Sequence, residues 1–95
     1  MIRGYNKEIL TEDLKTDEMV YLFFRSRGCR PCKEVEPSVL DFAENYNKIV
    51  YIIESNEARD LQKQYKVGGY PTMVILQGEK VLYNALGVHK IKELM

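Results

Sequence analysis

Neither sign of charge prevails in this sequence: Lys plus Arg and Asp plus Glu number 14 each. A nucleic-acid or anionic-membrane binder draws much of its affinity from a basic surface, so no nucleic acid and no membrane are expected among the partners. Long apolar runs are also missing. The longest, Met19–Phe24 and Ile49–Ile53, fall far short of the roughly 20 residues of a membrane-spanning helix. Residues 1–8 hold no apolar core of the kind a secretory signal contains, and a cytoplasmic location is expected. Repeats, low-complexity tracts and Pro/Gly/Ser-rich linkers are absent as well. Residues 1–95 are therefore expected to form one domain, acting as a monomer. What is present, 45% apolar and 29% charged residues, is ordinary for a soluble globular chain.

Cysteine is scarce too. Both copies sit in one motif, Cys29-Arg30-Pro31-Cys32. A disulfide closing so small a loop constrains the unfolded chain little, so it is a poor structural brace. In a reducing compartment, closely spaced cysteines are instead catalytic or metal-binding. A closed zinc site needs about four ligands, and His89, near the chain's end, is the one other strong ligand. No metal is expected, and His89 is read as a solvent-facing residue.

The hydropathy pattern alternates strands with helices. Thr11 is expected to cap a short helix through Glu12, Asp13 and Leu14. Met19–Phe24 has no polar interruption and reads as a strand buried on both faces. From Cys29 the period becomes helical, with Val35, Val39, Phe42 and Tyr46 on one face and Pro37 inside the helix, bending it. Ile49–Ile53 reads as a second strand, and a helix from Asn56 turns Leu61 and Tyr65 to the core. Thr72–Leu76 and Val81–Leu86 read as a hairpin joined at Gln77-Gly78-Glu79-Lys80, and Val88–Met95 follows Gly87 as a last helix. Strands separated by helices imply parallel crossovers, to which the hairpin adds antiparallel pairing. The expected fold class is α/β, with a mixed central sheet flanked by helices on both faces. Tyr21, Tyr51, Tyr65 and Tyr83 are read as core and sheet-packing residues.

Cys29 follows a strand and the turn Arg25-Ser26-Arg27-Gly28 and opens a helix. Free backbone N–H groups and the helix dipole stabilise negative charge there. The thiolate is the reactive form of cysteine, and such a position lowers its pKa below the free value of about 8.5. Arg25, Arg27, Arg30 and Lys33 reinforce the effect, since no acid occurs between Met19 and Lys33. Arg25 also admits a plainer reading as a solvated turn residue. Residues one helical turn apart approach closely enough for a disulfide. Pro31, between them, restricts the turn and lacks an N–H that a helix start does not need. The pair suits two-step exchange. Cys29 attacks a substrate disulfide as nucleophile, and the more buried Cys32 resolves the mixed disulfide.

On these residues the sequence resembles the thioredoxin family over nearly its whole length. The resemblance is carried by Cys29-Arg30-Pro31-Cys32-Lys33 after an apolar strand, by Pro37, by Gly69-Tyr70-Pro71-Thr72 before the next strand, and by Gly87. It implies the thioredoxin fold and a cis Pro71 beside the cysteines, with Tyr70 offering its backbone to an extended substrate. Gly28, Arg30, Pro31, Tyr70 and Pro71 would then line the substrate site. The implied activity is thiol–disulfide exchange on proteins or small disulfides, with no bound cofactor and with electrons from a thioredoxin reductase or glutathione. The sequence departs from the family where Trp usually precedes the first cysteine (Gly28), where Gly follows it (Arg30), where a buried Asp lies six residues before it (Phe23) and where a buried Lys often lies on the middle strand (Ile52). Without the Asp, Glu54 or a water is left as proton partner for the second cysteine. Extra arginine and no buried carboxylate imply thiol pKa values below the family's and a more oxidising disulfide. Arg27 and Arg30 also suit acidic substrates, glutathione among them. The alternatives are a glutaredoxin-like, glutathione-dependent reductase and a non-catalytic thioredoxin-like subunit that clamps a partner around Gly28, Cys29, Tyr70 and Pro71.

Overall fold

The computed structural model describes residues 1–95. In chain order it comprises β1 (Ile2–Gly4), α1 (Lys7–Asp13), β2 (Met19–Arg25), α2 (Arg30–Asn45), β3 (Ile49–Glu54), α3 (Arg59–Gln64), β4 (Thr72–Gln77), β5 (Lys80–Leu86) and α4 (Val88–Glu93). The five strands form one sheet in the order β1-β3-β2-β4-β5. The β1–β3 and β3–β2 pairs are parallel, whereas β2–β4 and β4–β5 are antiparallel.

The uninterrupted apolar run of β2 explains its central place. Side chains alternate across a sheet, so burying all of Val20–Phe24 requires cover on both faces. Tyr21 and Phe23 meet Val35, Val39 and Ala43 of α2, Ile91 of α4, and Met73 and Ile75 of β4. On the opposite face Val20, Leu22 and Phe24 join Leu10 of α1, Tyr51 and Ile53 of β3, and Val74 and Leu76 of β4, with Leu61 and Tyr65 packed alongside. In the β4–β5 turn Gly78 takes φ +61°, in the left-handed region that favours glycine.

Several expectations are corrected. The first helix starts at Lys7, capped by the Asn6 side chain, which accepts the Ile9 N–H at 3.0 Å. Thr11 lies inside it and returns its hydroxyl to the Lys7 carbonyl. The third helix begins at Arg59 rather than Asn56, after Ala58 in a left-handed conformation. Strand β1, three residues at the sheet edge, is too short for periodicity to reveal. Helix α2 ends at Asn45, leaving Tyr46 exposed, and Tyr83 projects from edge strand β5 into solvent at 57% exposure instead of entering the core. His89 is exposed, as expected.

One polar cluster ties β1, α1 and β3 together. The buried Tyr51 donates its hydroxyl to Asp13 Oδ2 at 2.5 Å, and Arg3 Nε lies 2.9 Å from the same oxygen. Burial first, and then the Asp13 carboxylate, push the Tyr51 hydroxyl well above its ordinary pKa, so it remains a donor throughout the physiological range. Asp13→Ala strands that hydroxyl and frees Arg3. It is expected to lower unfolding free energy by about 2–3 kcal/mol, read from urea denaturation. A loss under about 0.5 kcal/mol would contradict the anchoring role.

Candidate active site

The turn from β2 into α2 builds the site. Gly28, at φ +73°, turns the chain in a conformation that side chains disfavour, with no heavy atom within 4 Å of where a Cβ would stand. The chain then enters α2 with Cys29 as its N-cap residue and Pro31 in the first turn. Cys29 Sγ accepts the backbone N–H of Cys32 at 3.2 Å, in the way an oxygen cap would. The two sulfurs are joined as a disulfide, with the Cα atoms 5.3 Å apart. Exposure is asymmetric: Cys32 retains 2%, whereas Cys29 is half-buried. No group of three or more His, Cys, Asp or Glu side chains assembles that could hold a metal ion.

The sheet register brings the second motif to the same end. Phe24 of β2 pairs with Thr72 of β4, which sets Pro71 level with Arg25, where β2 runs out toward Cys29. The Tyr70–Pro71 bond is cis. Around it the Thr72 hydroxyl donates to the Gly69 carbonyl at 2.6 Å, and the Gly87 N–H donates to the Pro71 carbonyl at 2.9 Å. The Tyr70 side chain turns toward α3 and donates its hydroxyl to Gln62 Oε1 at 2.5 Å. Gln62 in turn donates to the Ser55 and Glu57 carbonyls at 2.9 and 2.7 Å, using both of its N–H groups. Sequence reasoning missed Gln62, because a lone helical glutamine carries no signal.

The basic field is smaller than the sequence implies. Arg25 is not a solvated turn residue. It ends β2 and donates to Glu54 Oε1 at 2.7 Å and Glu36 Oε1 at 2.5 Å. The hydrogen bond to Glu36 foremost, with help from Glu54, raises its pKa further and holds it charged. Two carboxylates answer that one guanidinium, so Arg25 lends Cys29 no net positive charge. Arg27, Arg30 and Lys33 are exposed and have no acid within ion-pair distance. A cleft at this end of the sheet is lined by Arg25, Gly28, Cys32, Glu36 and Glu54 among others. A larger groove, between α1 and α3, is lined by Tyr5, Leu10, Leu61 and Tyr65 and includes neither cysteine.

A family model described as Thioredoxin matches residues 3–95. Thioredoxin-1 of Drosophila melanogaster is 33% identical over 98 residues, covering 99% of this chain and 89% of that protein. Thioredoxin-1 of Drosophila yakuba is 30% identical over 95 residues, covering 96% and 86%. Among solved structures, the germline-specific thioredoxin Deadhead of Drosophila melanogaster superposes with a TM-score of 0.82 at 30% identity, over 99% of this chain and 93% of that one. Thioredoxin f from spinach chloroplast gives 0.83 at 26% identity, over 98% and 87%. The glutathione-dependent and non-catalytic alternatives are not favoured by these matches. A disulfide so poorly suited to bracing a fold is there to be broken and remade, and the chain belongs to the thioredoxin family of thiol–disulfide oxidoreductases.

Proposed function

We propose that the chain, as a single-domain cytoplasmic monomer, reduces protein disulfides and small disulfides and is recharged by a thioredoxin reductase. Cys29 is the nucleophile. As thiolate it attacks one sulfur of the substrate, forms the mixed disulfide and releases the other substrate sulfur as thiolate. Cys32 then attacks Cys29, the mixed disulfide breaks, and the second substrate sulfur leaves. Two electrons pass to substrate and the Cys29–Cys32 bond re-forms. The observation that carries this reading is the Cys32 N–H aimed at Cys29 Sγ from the first turn of α2, a donor already placed for a thiolate. Gly28, Arg30 and Pro31 supply one wall of the substrate site, and Tyr70 and Pro71 the other. Tyr70 serves through its backbone, since its hydroxyl is committed to Gln62.

Neutralisation of Arg25 also revises the redox expectation. With that charge answered by Glu36 and Glu54, the argument for an unusually oxidising disulfide loses one of its cations. Equilibration against glutathione and dithiothreitol buffers is expected to give a potential near the roughly −270 mV of thioredoxin, with insulin disulfides reduced catalytically. A potential above about −200 mV, together with no insulin reduction, would overturn the reductant assignment.

A further inference from the structure

Cys32 poses a proton problem. In the resolving step its thiol must lose a proton to become a nucleophile, yet the residue keeps only 2% of its surface. The cleft that Cys32 lines shows where the proton can go. The charged and titratable side chains lining it with Cys32 are Arg25 and Arg27 from β2 and the turn beyond, Lys33 and Glu36 from α2, and Glu54 from β3. β4 contributes none. The cations accept no proton, which leaves the two carboxylates. Glu36 lies one turn beyond Cys32 on the same face of α2, at the i,i+4 spacing that makes side chains neighbours. Glu54 is the register partner of Arg25 on the adjacent strand.

The two carboxylates of the cluster share a single counter-ion. One guanidinium holds both carboxylates, at 2.5 Å to Glu36 and 2.7 Å to Glu54. Two negative charges against one positive leave an excess of one, so a single proton brings the cluster to neutrality instead of unpairing a balanced ion pair. Arg25 keeps both carboxylates in place whichever of them takes it. Arg27 and Lys33, exposed at the rim, favour the thiolate that remains.

We propose that the Glu36–Arg25–Glu54 cluster is the proton acceptor for Cys32 in the resolving step, an assignment that rests on the exchange reading above. The proton leaves Cys32 Sγ for a carboxylate of the cluster, directly or through solvent admitted by the cleft. The thiolate then attacks Cys29 Sγ, and the Cys29–substrate S–S bond breaks as the Cys29–Cys32 bond forms. The departing substrate thiolate takes a proton back from the cluster or from solvent, and the cluster returns to its starting charge.

The test uses the reduced full chain and the aromatic disulfide 5,5′-dithiobis(2-nitrobenzoate) in a stopped-flow spectrometer. One coloured thiolate is released when Cys29 attacks, and a second when Cys32 resolves. In Glu36→Gln/Glu54→Gln the ratio of the second rate constant to the first is expected to fall at least about 10-fold at pH 7, within the usual reach of general-base assistance. The deficit is expected to shrink as pH rises, because hydroxide increasingly takes over the deprotonation that the carboxylates provide at pH 7. Glu36→Gln alone, which keeps an oxygen for Arg25, is expected to show the same pH-dependent deficit at about 3-fold and serves if the double variant is unfolded. An unchanged ratio, a deficit equal at every pH, or a faster second phase from lost negative charge would each overturn the proposal. Absence of both phases in the unsubstituted chain would instead refute the exchange reading itself.

Discussion

Cys29→Ser is expected to abolish disulfide reduction, with insulin turnover falling by about 10³-fold or more, the scale seen when a covalent nucleophile is removed. The substitution preserves volume and leaves the helix start intact, since serine is itself a favoured N-cap residue. What disappears is the sulfur, and a hydroxyl neither ionises near neutrality nor forms the mixed disulfide. Cys32→Ser gives a different failure. Cys29 still attacks, but no second thiol releases the adduct, so the chain is expected to accumulate as a covalent complex with substrate. Intact-protein mass spectrometry reads that complex directly, and added dithiothreitol should dissolve it. Equal activity of Cys29→Ser and the parent chain would remove the basis for the nucleophile assignment. Adduct formation by Cys29→Ser with none by Cys32→Ser would reverse the two roles.

Phe23→Asp is expected to carry the largest stability cost. It would restore the residue type that thioredoxins usually hold six positions before the first cysteine, yet this chain has built its core around an aromatic ring there. Phe23 is fully buried against Val35, Val39 and Met73. Truncating a buried Phe costs about 3–5 kcal/mol through lost transfer energy and the cavity left behind. The carboxylate adds the penalty of a buried polar group without a partner. Together these approach the whole stability of a small domain, about 5–15 kcal/mol. The variant is expected to be largely unfolded by circular dichroism, whereas Phe23→Leu, which keeps the site apolar, is expected to lose about 1–1.5 kcal/mol. A folded Phe23→Asp chain with a cooperative transition near the parent's would show that this part of the core tolerates charge.

Much of the architecture was legible because burial leaves periodic traces. The runs Met19–Phe24 and Ile49–Ile53 announced strands covered on both faces, and these are β2 and β3. Val35 and Val39 announced the inner face of α2. Signals that are not periodic were harder to read. β1 spans three residues, and the Asn6 cap competes with an equally plausible Thr11 that spends its hydroxyl inside the helix. Tyr83 has the composition of a core residue but falls on the outermost strand, and strand order is not written in any single segment. At the site, the two cysteines, Tyr70 and Pro71 carried local signatures. The Arg25 pairs did not, because they join three different elements, β2, α2 and β3, with partners 11 and 29 residues away. Charge counted along the chain missed that Glu36 and Glu54 return to Arg25 in space.

The brace at Gln62 bears on how partners are received. Both of its N–H groups and its oxygen are committed, so the Tyr70 side chain, next to Pro71, is tied through α3 to the loop that follows β3. If the strip receives a peptide as proposed, the peptide meets a rail already tied in place. It loses less to ordering on arrival than it would against a floppy loop.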